Sequence, residues 1–150
     1  MKNIFNSADA ATLVARINQL KNDSPAQWGK MNASKMLAHC NVSFEMVYEN
    51  IHQKPNFFVK FLLKTFVKNS VVSEKPYPKN GRTAPAMVIT QDMNFEIEKK
   101  RLIDYVSKTQ AFGESYFDGK ESFSFGALNK TEWNNLFVKH LDHHLQQFGV

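Results

Sequence analysis

Apolar positions in this chain recur with a helical rather than a strand period. Leu13, Val14, Ile17 and Leu20 follow the i, i+3, i+4 spacing of one buried stripe. They predict a first helix from a Ser7 N-cap to about residue 22. Asn22-Asp23-Ser24-Pro25 interrupts the stripe, because a residue before proline is driven out of the helical region. Beyond Trp28 and Gly29, Asn32 caps a second helix over about 33–50 that turns Met36, Leu37, Cys40, Phe44 and Val47 inward. A third long helix runs from an Asp92 cap to about residue 109, with Phe95, Leu102, Ile103 and Val106 buried. Thr131 opens a final helix over 132–148, and Gly149 stops it.

The intervals are less regular. Pro55 precedes an amphipathic segment, 57–68, in which Lys60, Lys64 and Lys68 form one face and Phe, Leu and Val the other. Residues 70–91 carry Pro76, Pro78, Gly81 and Pro85 without helical period, and a connection of that length is commonly functional. Within it, residues 86–90 (AMVIT) predict a brief strand, and 112–130 reads as another loop. Four main helices and one short one indicate an all-α, up-down four-helix bundle with long loops.

Composition narrows the class. A length of 150 residues predicts one domain spanning 1–150. Hydrophobic residues at 43% and charged residues at 22% are ordinary globular values, which excludes a disordered or collagen-like chain. No apolar stretch has the length of a transmembrane helix, and MKNIFNSADA lacks the apolar block of a signal peptide. A single cysteine, Cys40, excludes an internal disulfide framework and fits a cytoplasmic location. The net charge of +5 attracts anions weakly. Without a basic, aromatic-interleaved stripe, neither nucleic acid nor stable membrane insertion is expected.

The five histidines change the picture. On the last helix, at about 100° per residue, His144 lies about 40° from His140, and both fall among Trp133, Leu136, Phe137 and Phe148. Imidazoles four residues apart can converge on one ion, and a metal satisfies nitrogens that burial would otherwise leave unpaired. The bland reading is a pair of core histidines bonded to each other, to water or to backbone carbonyls. His39, at the margin of the second helix's apolar stripe, offers a third ligand. His143 and Gln147 sit beside the pair as second-shell or substrate-orienting groups, and His52 is expected to be solvated. Three nitrogen ligands leave open positions, as catalytic sites do, and suit Zn, Ni, Cu or Fe. No Glu-x-x-His supports a di-iron site, and no nucleophile elbow, Walker loop or dinucleotide fingerprint is present. Cys40, deep in an apolar face, reads as a core residue.

Trp28-Gly29-Lys30-Met31, Met36-Leu37-Ala38-His39-Cys40, Phe125-Gly126-Ala127-Leu128, Glu132-Trp133 and the run from His140 through Phe148 span most of the chain in order. Through them the chain resembles the DinB-like superfamily of metal-dependent four-helix bundle proteins. The resemblance implies a divalent metal, Zn or Ni foremost and Fe next, on His39, His140 and His144. It also implies chemistry of the thiol-dependent transferase type with a low-molecular-weight thiol cofactor, and a homodimer. Ser122-Phe123 stand where many members of the branch marked by the Trp-Gly-x-Met segment carry His-Pro. The expected function is a metal-dependent transferase or hydrolase acting on a small-molecule substrate. The alternative is a non-catalytic bundle that binds an apolar small ligand or a protein partner. The 57–68 segment has four possible uses in either case: internal packing, dimerisation, a lid or a membrane-surface helix.

Overall fold

Asparagine caps start each of the four long helices, each one accepting backbone N–H groups that the first turn leaves unpaired. In the computed structural model, which describes residues 1–150, Asn6 caps α1 (Ser7–Gln19) and Asn32 caps α2 (Ala33–Tyr48). The short α3 (Phe57–Leu62) runs through a π-helical turn at Leu63–Val67 into α4 (Lys68–Val72). Asn94 caps α5 (Phe95–Phe117), and Asn129 caps α6 (Lys130–Gln147) through a reciprocal capping box with Glu132. A two-stranded antiparallel hairpin, β1 (Glu121–Ser122) and β2 (Gly126–Ala127), links the last two helices.

The chain is therefore mostly helical, as its apolar period predicts, with several local corrections. The caps expected at Ser7, Asp92 and Thr131 are instead Asn6, Asn94 and Asn129. The predicted strand at 86–90 is a 3₁₀ turn, Pro85–Met87, followed by extended chain without a pairing partner. Proline at the first position of that turn favours a tight helical start over a ladder. Helix α5 continues beyond residue 109 to Phe117, interrupted at Gly113, whose φ of 71° and ψ of 174° only glycine adopts readily. Part of the loop expected over 112–130 is thus helix and hairpin.

Helix α2 packs chiefly on α5, α1 lies against α5, and α6 contacts α1, α2 and α5. Their stripes meet in one core that includes Leu13, Ile17, Met36, Leu37, Leu102, Val106, Leu141 and Leu145. Aromatic rings fill its centre. Phe44 stacks on Phe137 at 4.7 Å and on Tyr105 at 5.6 Å, and Phe137 stacks on Trp133 at 5.5 Å. Val47 and Ile103 lie at the edge of this core rather than inside it. No helix is long and apolar enough to cross a membrane.

The amphipathic segment lies opposite to the usual sense. Lys60 Nζ reaches Glu121 at 2.7 Å and Lys68 Nζ reaches Glu132 at 2.7 Å, so the lysine face turns toward the hairpin and α6. Phe57, Phe58, Phe61 and Phe66 point outward. Internal packing of the apolar face is thereby excluded. Helix α4 anchors the segment through buried Val72, whose carbonyl accepts from Asn135 Nδ2 at 2.9 Å.

Candidate metal centre

Helix α2 delivers His39 and helix α6 delivers His140 and His144, the latter two one turn apart on the face that meets α2. The three rings form a near-equilateral triangle with centroid separations of 4.8, 4.6 and 4.9 Å. One nitrogen from each ring lies within 4.8 Å of the others. The residues that the helical period and the family likeness single out are thus brought together.

Hydrogen bonds settle which nitrogens remain free. A carbonyl can only accept, so the 2.7 Å contact between His39 Nδ1 and the Met87 carbonyl places a proton on Nδ1. The Nε2 of neutral His39 is left as a lone pair facing the triangle. Gln147 does the same for His144. Its Nε2 donates to the Trp28 carbonyl at 2.6 Å, which turns Oε1 toward His144 Nδ1 at 2.8 Å. His144 Nδ1 therefore carries the proton, and its Nε2 is the available donor. His140 Nε2 sits 2.9 Å from His39 Nε2, a contact in which His140 supplies the only proton available.

Burial holds all three rings neutral. It lowers the His39 pKa, partly opposed by the Met87 carbonyl, and lowers His140 well below its ordinary value. Burial and the neighbouring His39 bring His144 down to about 3. Neutral imidazole is the ligating form, so burial favours the charge state that a cation requires at physiological pH, and ligation through His140 Nε2 requires its proton to sit on Nδ1 instead.

The donor set fits a divalent metal. Nitrogens about 2.0–2.1 Å from a tetrahedral ion lie ~3.4 Å apart. That spacing falls between the 2.9 Å of the His39–His140 contact and the 4.8 Å limit of the group. Two of the three rings already have the outer hydrogen bond that fixes tautomer and orientation in metal-binding histidines.

The surroundings supply a rim. His143 is half-buried between the edges of Trp28 and Tyr77, each 5.7 Å away between centroids. Burial lowers its pKa, with Asp142 acting in the opposite sense. Lys79 Nζ lies 4.4 Å from the Trp28 ring centre. Lys139 donates to the Ser70 carbonyl at 2.9 Å and to the Ser73 carbonyl, and burial lowers its pKa to about 8. It ties the C-terminal end of α4 to α6.

His52, expected to be solvated, instead pairs with the buried Glu45 at 2.7 Å, outside the triangle. Cys40 sits 1% exposed with its thiol toward Met36, and burial pushes its pKa up. A cavity of about 220 Å³ lies between α2 and residues 86–93, lined by Val42, Glu45, Arg101 and Met93 among others, and contains none of the three histidines.

The Met87 and Trp28 carbonyls are the functional groups that sequence reading misses. Every residue carries a carbonyl, so nothing in the side-chain pattern marks these two. The Trp28-Gly29 pair offers a partial signal, because a Cβ at residue 29 would meet Gln147 Nε2 at 2.5 Å.

Against known proteins, residues 2–149 match one family model, described as Protein of unknown function (DUF1569). No curated protein and no solved structure matches.

Proposed function

We propose, for a chain that belongs to the DUF1569 family, a divalent-metal site on His39, His140 and His144 that serves a thiol-dependent transferase or hydrolase. The observation that carries this reading is the orientation of the rings. Met87 and Gln147 hold protons on the outer nitrogens of His39 and His144, leaving the Nε2 of each as a lone pair, with that of His39 2.9 Å from His140 Nε2.

Three protein ligands leave positions for other groups, the feature that separates catalytic from structural zinc sites. Zn or Ni suits the all-nitrogen set, with Fe next. When bound, such an ion supplies Lewis acidity that activates a small thiol or water as a nucleophile near neutral pH. The chain's own groups do the rest. His143, neutral and at the rim, accepts or returns a proton beside the triangle, while Trp28 and Tyr77 offer apolar edges to a small substrate. Cys40 takes no part, since its thiol is buried and stays protonated. The four long helices, in this reading, form one up-down bundle domain of DinB-like type.

Metal analysis by mass spectrometry tests the proposal on protein purified without chelator. One equivalent of Zn, Ni or Fe is expected in the wild type, and a loss of at least about tenfold in folded His39→Ala, His140→Ala and His144→Ala. A wild type that takes up no metal on reconstitution, with folded variants unchanged, overturns it. The three rings would then form a hydrogen-bonded wall of a ligand-binding cleft.

A further inference from the structure

The cavity of about 220 Å³ between α2 and residues 86–93 stands apart from the three histidines. Apolar side chains make most of its wall, among them Val42, Val88, Ile89 and Met93. Glu45, Arg101 and His52 bring charge to the remainder. Sites for small molecules share this plan, an apolar concavity with a few fixed polar groups. At ~30 Å³ per water the space equals about seven waters, which suits a ligand of about seven non-hydrogen atoms.

Hydrogen bonding around the cavity leaves acceptors in surplus. Buried Glu45 takes two donors, Arg101 on Oε1 and His52 Nε2 on Oε2, the latter at 2.7 Å. An ionised carboxylate has about four lone-pair sites, so half of that capacity is unused. One turn earlier on α2, wholly buried Asn41 donates from Nδ2 to Glu98 Oε2 at 2.8 Å, while its Oδ1 has no partner. Glu98 Oε2 also accepts from Arg101 at 2.9 Å. Arg101 keeps 34% of its side chain in water, which serves its remaining N–H groups. Glu45 and Glu98 match or exceed the positive charge of Arg101 and His52, whichever proton His52 carries. The cluster therefore draws no anion and is short of donors. An ammonium group supplies what is missing: three donors, no acceptor and one positive charge.

We propose that this cavity binds a small primary alkylamine, with the ammonium against Glu45 and the chain along Val42, Val88 and Ile89. Val88 is 53% exposed, so the chain covers apolar area that otherwise stays in water. The nearest lysine does not compete. Lys35, beside the Thr90 carbonyl, is paired with Asp92 at 3.6 Å. Ala86 and Val88 line the cavity on either side of Met87, whose carbonyl holds His39. The amine site thus shares a wall with the proposed metal centre, although its own chemistry needs no metal.

Hexylamine, with six carbons and one nitrogen, is the probe, titrated into the full chain and followed by methyl NMR. Saturable shifts of the Val42, Val88 and Ile89 methyls are expected, with a dissociation constant of about 1 mM. Hexanoate should bind at least about tenfold more weakly, since its charge repeats that of Glu45. Glu45→Gln should weaken hexylamine at least about tenfold. Ala86→Phe should do the same by filling space, and residue 86 is exposed and outside the ion network, so the fold is kept. Folded His140→Ala should bind hexylamine as the wild type does, which separates this test from the metal reading. Absence of saturable shifts up to about 20 mM overturns the proposal, as does equal affinity for hexanoate. Shifts confined to the methyls of Val59, Leu62 and Val67, or binding lost in His140→Ala, would overturn it by placing the amine elsewhere.

Discussion

Gln147 is a single side chain with two jobs, and their separation can be measured. Its amide nitrogen donates to Trp28 and its oxygen accepts from His144. Gln147→Leu removes both bonds while leaving the three histidines in place. Loss of such an outer bond lowers metal affinity about 10–100-fold, and competition against a chelating dye would read it. The same change leaves a buried donor and acceptor unpaired and destabilises by about 1–3 kcal/mol. Gly29 controls this side chain from outside. Its φ is +81°, and an added Cβ would meet Gln147 Nε2 at 2.5 Å. Gly29→Ala is therefore expected to weaken metal binding as well as to cost about 1–2 kcal/mol of backbone strain. Unchanged dye competition in Gly29→Ala would show that Gln147 does not depend on the close approach.

At the scale of elements, α5 and α6 illustrate two ways in which a helix is bounded. The capping box of α6 satisfies orphan N–H groups through Asn129 and Glu132. Asn129→Ala should reduce the free energy of unfolding by about 1 kcal/mol in urea titrations. Helix α5 is broken instead at Gly113, in a region of backbone space that is nearly glycine-only. Gly113→Ala should cost about 1–3 kcal/mol even though no neighbour lies within reach of the added methyl. A cost near zero would mean that the bend relaxes freely. The helices themselves, and the pairing of His140 with His144, were legible from apolar period, whereas His39 joined them as a ligand through the family likeness. The caps were legible only to within two residues, because asparagine, serine and threonine compete for the same role and the winner depends on which oxygen reaches the first turn. The 86–90 stretch has strand-like residues, yet no neighbouring edge exists to pair with it, and pairing is not a property of one segment. The period of residues 57–68 revealed two faces without revealing which one turns inward. Glu121 and Glu132, distant in sequence, decide that.

The whole molecule depends on a centre of stacked rings. Phe137 is 1% exposed and touches Phe44, Phe117 and Trp133. Phe137→Ala should cost about 3–5 kcal/mol, a large share of the stability of a domain this size, and lower the thermal midpoint accordingly. Tyrosines around the core couple the fold to alkaline pH. Burial raises Tyr48, Tyr77 and Tyr105 from 10 to about 12. The unfolded chain loses these protons near pH 10, whereas the folded chain keeps them until about pH 12. Between those values the folded state binds more protons, so stability is intact below pH 10 and falls as pH rises through the window. Urea midpoints at pH 8, 10 and 11 should drop at 11, and Tyr48→Phe should blunt the drop. A flat series would contradict the assignment.

Helices place the three imidazoles, but two carbonyls outside them, that of Met87 directly and that of Trp28 through Gln147, set where the protons of His39 and His144 reside. Building the centre and tuning it are therefore assigned to different parts of the polypeptide. A library confined to residues 25–29 and 83–88 would vary the affinity and selectivity of the proposed ion site on an unaltered helical scaffold. A single proteolytic nick at the exposed residues 82–84 would detune the centre while the rods around it stayed assembled.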